Sequence, residues 1–124
     1  MSKYPLVSFV ILNWNGRKRL ERCLASVVNV KYPSIEIVVV NNGSTDDSEE
    51  FIKKNYPKIK LINLKKNVGY AGGKNIGVAK ARGKYILGLD NDTIVTPGFL
   101  NPLVEDLEND PTLGIIQPQI RSLI

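Results

Sequence analysis

The sequence predicts an α/β domain built on a mainly parallel sheet with helices on both faces. Three observations carry that prediction. Apolar runs of strand length recur at residues 7–12, 35–40 and 85–89, and an alternating polar and apolar strand pattern at 58–64. The segments between them repeat their apolar residues at helical spacing, and the strand runs are followed by clusters of Asn, Asp and Gly. Strands alternating with helices form right-handed βαβ units, which bring the carboxyl ends of the strands to one edge of the sheet.

The first run, Val-Ser-Phe-Val-Ile-Leu at 7–12, reads as a buried strand, and Asn-Trp-Asn-Gly at 13–16 supplies the turn. Leu20, Cys23, Leu24, Val27 and Val28 then form one helical stripe, with Arg17, Lys18, Arg19 and Arg22 turned to solvent, until Tyr32 and Pro33 break it. A second strand, 35–40, leads into Asn-Asn-Gly-Ser-Thr-Asp at 41–46, which combines turn chemistry with helix-capping residues. The next helix carries Phe51, Ile52 and Tyr56 to the core and ends at Pro57. A strand over 58–64 alternates polar with apolar residues. The glycine-rich segment 69–77 opens a helix that stops near Gly83. After the strand 85–89, Thr96 and Pro97 are placed to cap and start a helix bearing Phe99, Leu100, Leu103, Val104 and Leu107, closed by Asp110-Pro111.

The chain has 124 residues, 43% of them hydrophobic and 23% charged, enough for one domain with a true core. There is no histidine and a single cysteine, Cys23. Internal disulfides, Cys/His zinc sites and Ser/His/Asp or Cys/His catalytic sets are therefore excluded, so chemistry must rest on carboxylates, amides, hydroxyls and lysines, and any metal must be a hard one. The net charge of +5 comes from scattered lysines rather than one basic run, which reads as solvated surface, with no nucleic acid as partner. No apolar run is long enough to span a bilayer and nothing at the start resembles a secretion signal, so a cytoplasmic protein is expected, or one peripheral to the inner face of a membrane.

Four polar clusters share the predicted sheet edge: 13–15, 41–46, 67–74 and 90–92. Turns favour Asn, Asp and Gly, so one such cluster means little; four on one edge predict a pocket. Asp90 and Asp92 stand where the fourth strand stops, a placement suited either to a plain turn or to holding a divalent cation against a phosphorylated ligand. Gly69, Gly72 and Gly73 allow two readings: backbone N–H groups offered to a diphosphate, with Lys74 as a point charge, or close helix-to-sheet packing. Neither a GxGxxG directly after a strand nor a GxxxxGK[ST] is present. Trp14, the only tryptophan, could stack on a base or pack half-buried.

Together the stretches 7–15, 38–46, 67–77 and 83–93, in this order and spacing, resemble the family 2 glycosyltransferases, and Asn-Val-Gly-Tyr-Ala-Gly-Gly at 67–73 looks most like the rhamnosyltransferase-like branch. The resemblance implies a Rossmann-like GT-A nucleotide-binding half, with residues 1–124 as one nucleotide-sugar-binding domain that precedes an acceptor-binding part. It implies a metal-dependent, inverting transfer from a UDP- or dTDP-sugar to a saccharide or lipid-linked acceptor, as in polysaccharide biosynthesis. The nucleotide-binding positions it implies are Asn13, Trp14, Asn41, Gly69, Lys74, Asp90 and Asn91, with Mg²⁺ or Mn²⁺ on Asp92 and Asp90. Asn41 stands where the family has an Asp, and its amide offers a different donor and acceptor set to the base. Asp46 reads as a loop organiser.

No catalytic base is assigned: Glu105, Asp106, Glu108 and Asp110 fall on or just after a helix and read as solvated. A nucleotide-sugar-binding module without turnover is one alternative. Residues 86–93 also look like the first motif of haloacid-dehalogenase-type phosphatases, but that family needs a later lysine and none follows Lys84. The apolar residues of 113–124 leave an edge suited to pairing with a second copy, hence a homodimer.

Overall fold

The computed structural model describes residues 3–122; Met1, Ser2, Leu123 and Ile124, the ends of the two terminal segments, lie outside the described residues. Among the described residues four strands and four helices alternate: β1 (Val7–Asn13), α1 (Arg17–Val27), β2 (Ile35–Asn42), α2 (Ser48–Asn55), β3 (Lys60–Leu64), α3 (Tyr70–Lys80), β4 (Tyr85–Asp90) and α4 (Leu100–Asn109). All strand pairs are parallel and the order is β3-β2-β1-β4, so the chain is the α/β fold with a parallel sheet that its sequence predicts. β1, nearly all buried and rich in β-branched residues, takes a central position.

Side-chain alternation divides the sheet into two faces. On one, Phe9, Ile11 and Val39 pack with Leu20, Cys23, Leu24 and Val27 of α1, Phe51 and Ile52 of α2, and Leu100 and Val104 of α4. The other face is covered by α3, and the glycines settle how closely. A Cβ on Gly73 would press on Leu12 and Asn42, and one on Gly77 on Val10 and Val40. The packing alternative for the glycine cluster is thus what these two residues do. α3 does not reach across β4, which leaves Ile86 exposed.

Several boundaries differ from expectation. β2 continues two residues further and carries Asn41 and Asn42 inside the sheet, both buried. Val28 is the C-cap of α1 and half exposed rather than part of its apolar stripe. Thr96 and Pro97 do not open α4: the Phe99 N–H bonds to the Thr96 carbonyl at 3.3 Å in a separate turn, and the helix begins at Leu100. Pro102 sits in its first turn, where a missing N–H costs nothing. Beyond an Asp110 turn, residues 114–122 adopt no regular structure, and Ile115 and Ile120 are exposed. No helix among the described residues is long and apolar enough to cross a membrane.

Candidate functional site

The parallel sheet delivers the loops after β1 and β4 and the start of α3 to one shallow groove of about 290 Å³, lined by Leu12, Trp14, Arg19, Tyr70 and residues 90–92. A larger groove, about 620 Å³, lies elsewhere, beside Ile35, Glu36, Tyr56 and Lys60 at the start of β2 and β3, and contains none of the four polar clusters. Ligand chemistry points to the first, at the carboxyl ends of the strands.

Parallel register aligns Asn13 with Asn41 and Asn41 with Asn63. Their amides join into a ladder across the sheet edge. Asn91 Nδ2 donates to Asn13 Oδ1 at 2.9 Å, Asn13 Nδ2 to Asn41 Oδ1 at 3.1 Å, and Asn41 Nδ2 to Asn63 Oδ1 at 2.9 Å. Asn63 Nδ2 in turn donates to Glu49 Oε1. Ser44 Oγ adds a second donor to Asn41 Oδ1 at 2.6 Å. Asn13 and Asn41 are 0% and 1% exposed, so these two expected nucleotide-binding side chains are occupied inside the edge rather than turned into the groove.

The β1–α1 loop clamps the β2–α2 loop. Asn15, at φ 47° in the left-handed region that Asn tolerates, accepts from the backbone N–H groups of Thr45 (2.7 Å) and Asp46 (3.3 Å). Asp46 accepts from the backbone of Arg17 at 3.1 Å and of Ser48 at 3.1 Å, and from Ser48 Oγ at 2.6 Å. Burial works against its charge, but these hydrogen bonds win and hold its carboxyl below the usual range. Gly43, at φ 72° with backbone of Lys66 against its α-carbon, makes the turn that no side chain would fit.

Asn42 organises the start of α3: its amide donates to Asn67 Oδ1 (3.2 Å) and the Gly69 carbonyl (3.1 Å) and accepts from the Val68 N–H (2.9 Å). Gly69 precedes α3 at φ 88° with open space around its α-carbon. Lys74 does not reach into the groove as a free charge. Its ammonium donates to the carbonyls of Leu89 (3.2 Å) and Val10 (3.4 Å) beneath the β4 end. Burial lowers its pKa, against the attraction of Asp90.

Asp90 and Asp92 face the groove, with Tyr70 OH donating to Asp90 Oδ1 at 3.2 Å; the Asp90 charge in turn raises the Tyr70 pKa. Cys23 lies beneath them, its thiol 3.8 Å from the Asp90 carbonyl. Burial, then Asp92 and Asp90, push its pKa up to about 12, so it is an inert neutral thiol and no soft ligand. Among the described residues no three His, Cys, Asp or Glu side chains cluster around a metal position. Two carboxylates alone are an all-oxygen donor set that leaves most positions to water and ligand oxygens, which fits Mg²⁺ or Mn²⁺.

Two groove residues are not legible as such in the sequence. The helical stripe turns Arg19 to solvent with its neighbours, yet α1 begins so close to β1 that its first turn lines the groove. Tyr70 stands inside the glycine motif, and its place between two structural glycine positions is the available signal. Trp14 is 53% exposed and flanks the groove, so its ring is open to a ligand on one side.

The Glycosyl transferase family 2 model matches residues 8–122. An uncharacterized glycosyltransferase of Haemophilus influenzae is 34% identical over 113 residues, covering 89% of this chain and 35% of the relative. Poly-beta-1,6-N-acetyl-D-glucosamine synthase of Staphylococcus epidermidis is 33% identical over 121 residues, covering 94% of this chain and 29% of the synthase. The chain thus spans about a third of the length of the curated relatives it matches. Among solved structures, the mannosyltransferase PcManGT from Pyrobaculum calidifontis, in complex with GDP-Man and Mn²⁺, superposes with TM-score 0.80 at 25% identity, covering 91% of this chain and 35% of that one. Staphylococcus aureus TarS in complex with UDP-GlcNAc does so with TM-score 0.77 at 22% identity, covering 90% and 37%. Sheet order, edge clusters and these matches agree on a GT-A nucleotide-binding half, and they set aside the phosphatase alternative; the chain belongs to the family 2 glycosyltransferases.

Proposed function

We propose that residues 1–124 form the nucleotide-sugar-binding domain of an inverting glycosyltransferase, and that the groove beside Asp90 and Asp92 receives the donor. One observation carries the reading: two carboxylates at the carboxyl end of β4 share one groove with an exposed tryptophan, an arginine and a tyrosine, in a chain of this family. Trp14 stacks on the base and Arg19 faces the phosphates. Gly69, with no side chain and open space around it, lets the donor approach the backbone at the start of α3. Asp92 and Asp90 would hold the Mg²⁺ or Mn²⁺. A divalent ion there supplies charge neutralisation for the departing nucleoside diphosphate. Asn13, Asn41 and Lys74 act from beneath, keeping the loops and the Leu89 end of β4 in place. Asn91 contributes its amide oxygen beside the two acids.

The complete reaction also needs an acceptor hydroxyl and a base to take its proton. Glu108 is paired with Lys84 at 2.7 Å and bonded to Tyr85, and Asp110 is engaged by Thr112, so neither serves. The base and the saccharide or lipid-linked acceptor site belong to an acceptor-binding part. The donor is a UDP- or dTDP-sugar, and the 67–73 motif favours the rhamnosyltransferase-like branch. The protein is cytoplasmic or peripheral to the inner membrane face, and exposed Leu113, Ile115 and Ile120 seat a second copy as a homodimer. A thermal-shift series with UDP, dTDP and GDP, each with and without Mn²⁺, tests the site. A metal-dependent rise in Tm supports it, and no rise with any nucleotide refutes it. Light scattering that finds only monomer refutes the homodimer.

A further inference from the structure

We infer that Glu49, on α2 outside the groove, is a positioning residue that sets the orientation of Asn91 through the one-way ladder of amides. The inference deepens the reading of the Asp90 and Asp92 site and rests on it only for its consequence. An asparagine amide has a donor end and an acceptor end and can sit either way round; an ionised carboxylate only accepts. Glu49 Oε1 therefore takes the N–H end of Asn63, and each rung follows. Asn63 Oδ1 must meet Asn41 Nδ2, Asn41 Oδ1 must meet Asn13 Nδ2, and Asn13 Oδ1 must meet Asn91 Nδ2.

Two further contacts are consistent with this sense. Ser44 Oγ donates to Asn41 Oδ1 at 2.6 Å, in agreement with the ladder's direction. The other Glu49 oxygen is 3.6 Å from Lys53 Nζ, one turn along α2. Asn13 and Asn41 are out of reach of water, so a reversed amide between them would leave two donors or two acceptors face to face at full cost. Reversing one rung means reversing all four. The sense is thus decided at Glu49 and read out at Asn91, whose Nδ2 is taken by Asn13 and whose Oδ1 is left as the ladder's open acceptor on a residue that lines the groove. Asn91 is flanked in sequence by Asp90 and Asp92, so its open oxygen offers a further hard donor for a cation or its water at the groove, where an NH₂ would repel it. Bonds aligned head to tail also polarise one another, so the anchor is felt along the row.

The test uses the ¹⁵N-labelled chain, its Glu49→Gln variant and the double variant Glu49→Gln/Asn63→Asp, with Asn91→Ala to identify the Asn91 side-chain signals. Glutamine can donate as well as accept, so Glu49→Gln removes the directional anchor while preserving shape. In the double variant the carboxylate moves one rung inward: the acid now at position 63 accepts from both the glutamine amide at position 49 and Asn41, which restores the sense. Expected in the ligand-free protein are displaced or doubled Asn91 and Asn13 NH₂ signals in Glu49→Gln, and near-parental signals in the double variant. Mn²⁺-dependent UDP binding weakens by roughly threefold to tenfold in the single variant and recovers in the double, in the way outer partners tune a metal site. Unmoved Asn91 signals in Glu49→Gln, or a double variant no nearer the parent than the single, would overturn the inference. If the parent binds no Mn²⁺ with any nucleotide, the site reading fails, and the ligand-free spectra still decide the role of Glu49.

Discussion

Gly77→Ala separates the two readings of the glycine-rich helix by a stability measurement. Alanine in a helix interior normally gains about 1 kcal/mol over glycine. At 77, however, a Cβ would stand 2.5 Å from Val10 Cγ1 and 2.9 Å from Val40 Cγ2. Both valines are fully buried, their branched side chains are stiff at χ1, and their strands are hydrogen-bonded on both sides, so neither can yield without moving the sheet. Overpacking of this kind costs about 1–3 kcal/mol. With two rigid partners the upper half of that range applies, and after the helical gain the variant should be about 1–2 kcal/mol less stable. For a domain of this size that is a fall of roughly 4–8 °C in Tm.

Gly72→Ala is the internal control, since its Cβ meets only the side chain of Val68, Cγ2 at 3.3 Å and Cβ at 3.6 Å, an exposed loop residue. It should match or exceed the parent by up to about 1 kcal/mol. Urea and thermal unfolding followed by far-ultraviolet circular dichroism compare the three proteins. Gly77→Ala at least as stable as Gly72→Ala would refute the packing argument and return the motif to a ligand role.

Asp92→Ala should abolish the Mn²⁺-dependent part of nucleotide stabilisation, worth about 2.7 kcal/mol at a ligand concentration one hundredfold above Kd, and retention of that shift would show the cation lies elsewhere. Trp14→Ala should weaken nucleotide binding about tenfold while Trp14→Phe keeps most of it; by calorimetry, equal losses in both would argue against stacking. Arg19→Ala should weaken UDP binding about threefold to tenfold, with a smaller effect at high salt, and a salt-independent loss would point to packing instead. Acid stability depends on Glu36, whose side chain is 10% exposed. Burial opposes its charge but is outweighed by hydrogen bonds from the Arg82 backbone, Ser8 and Lys60, which bring its pKa down to about 2. A depressed carboxylate pKa stabilises the fold above about 4.5, and that stability is lost as pH falls towards 2, amounting to a few kcal/mol. Glu36→Gln should flatten this part of the pH profile, whereas parallel acid unfolding of both proteins would remove Glu36 as the cause.

β1 and β2 were legible because the buried centre of a parallel sheet demands continuous Val and Ile runs and little else imitates them, while β3 was placed by its alternation, as suits a more exposed strand. Helix α4 was placed but opened late, since a proline after a capping residue starts a turn as readily as a helix. The acids at 90 and 92 were legible because a strand cannot end on two carboxylates without either solvent or a ligand to meet them. Arg19 was not, because helical periodicity reports which face is apolar and says nothing of how near the helix start lies to a neighbouring strand end.

By itself the sequence determined the layer architecture, the single polar edge and the chemistry available at that edge: carboxylate, amide and hydroxyl oxygens, with no imidazole in the chain and one cysteine. Only the tertiary structure decided which polar side chains line the groove and which hold the edge together. Asn13, Asn41 and Lys74 look like ligand groups in the chain, yet parallel register sets the first two side by side and α3 carries the third beneath β4, where backbone carbonyls claim its ammonium. The reason is physical: an amide or ammonium has the same chemistry wherever it sits in the chain, and only its neighbours in space determine whether its hydrogen bonds are already taken.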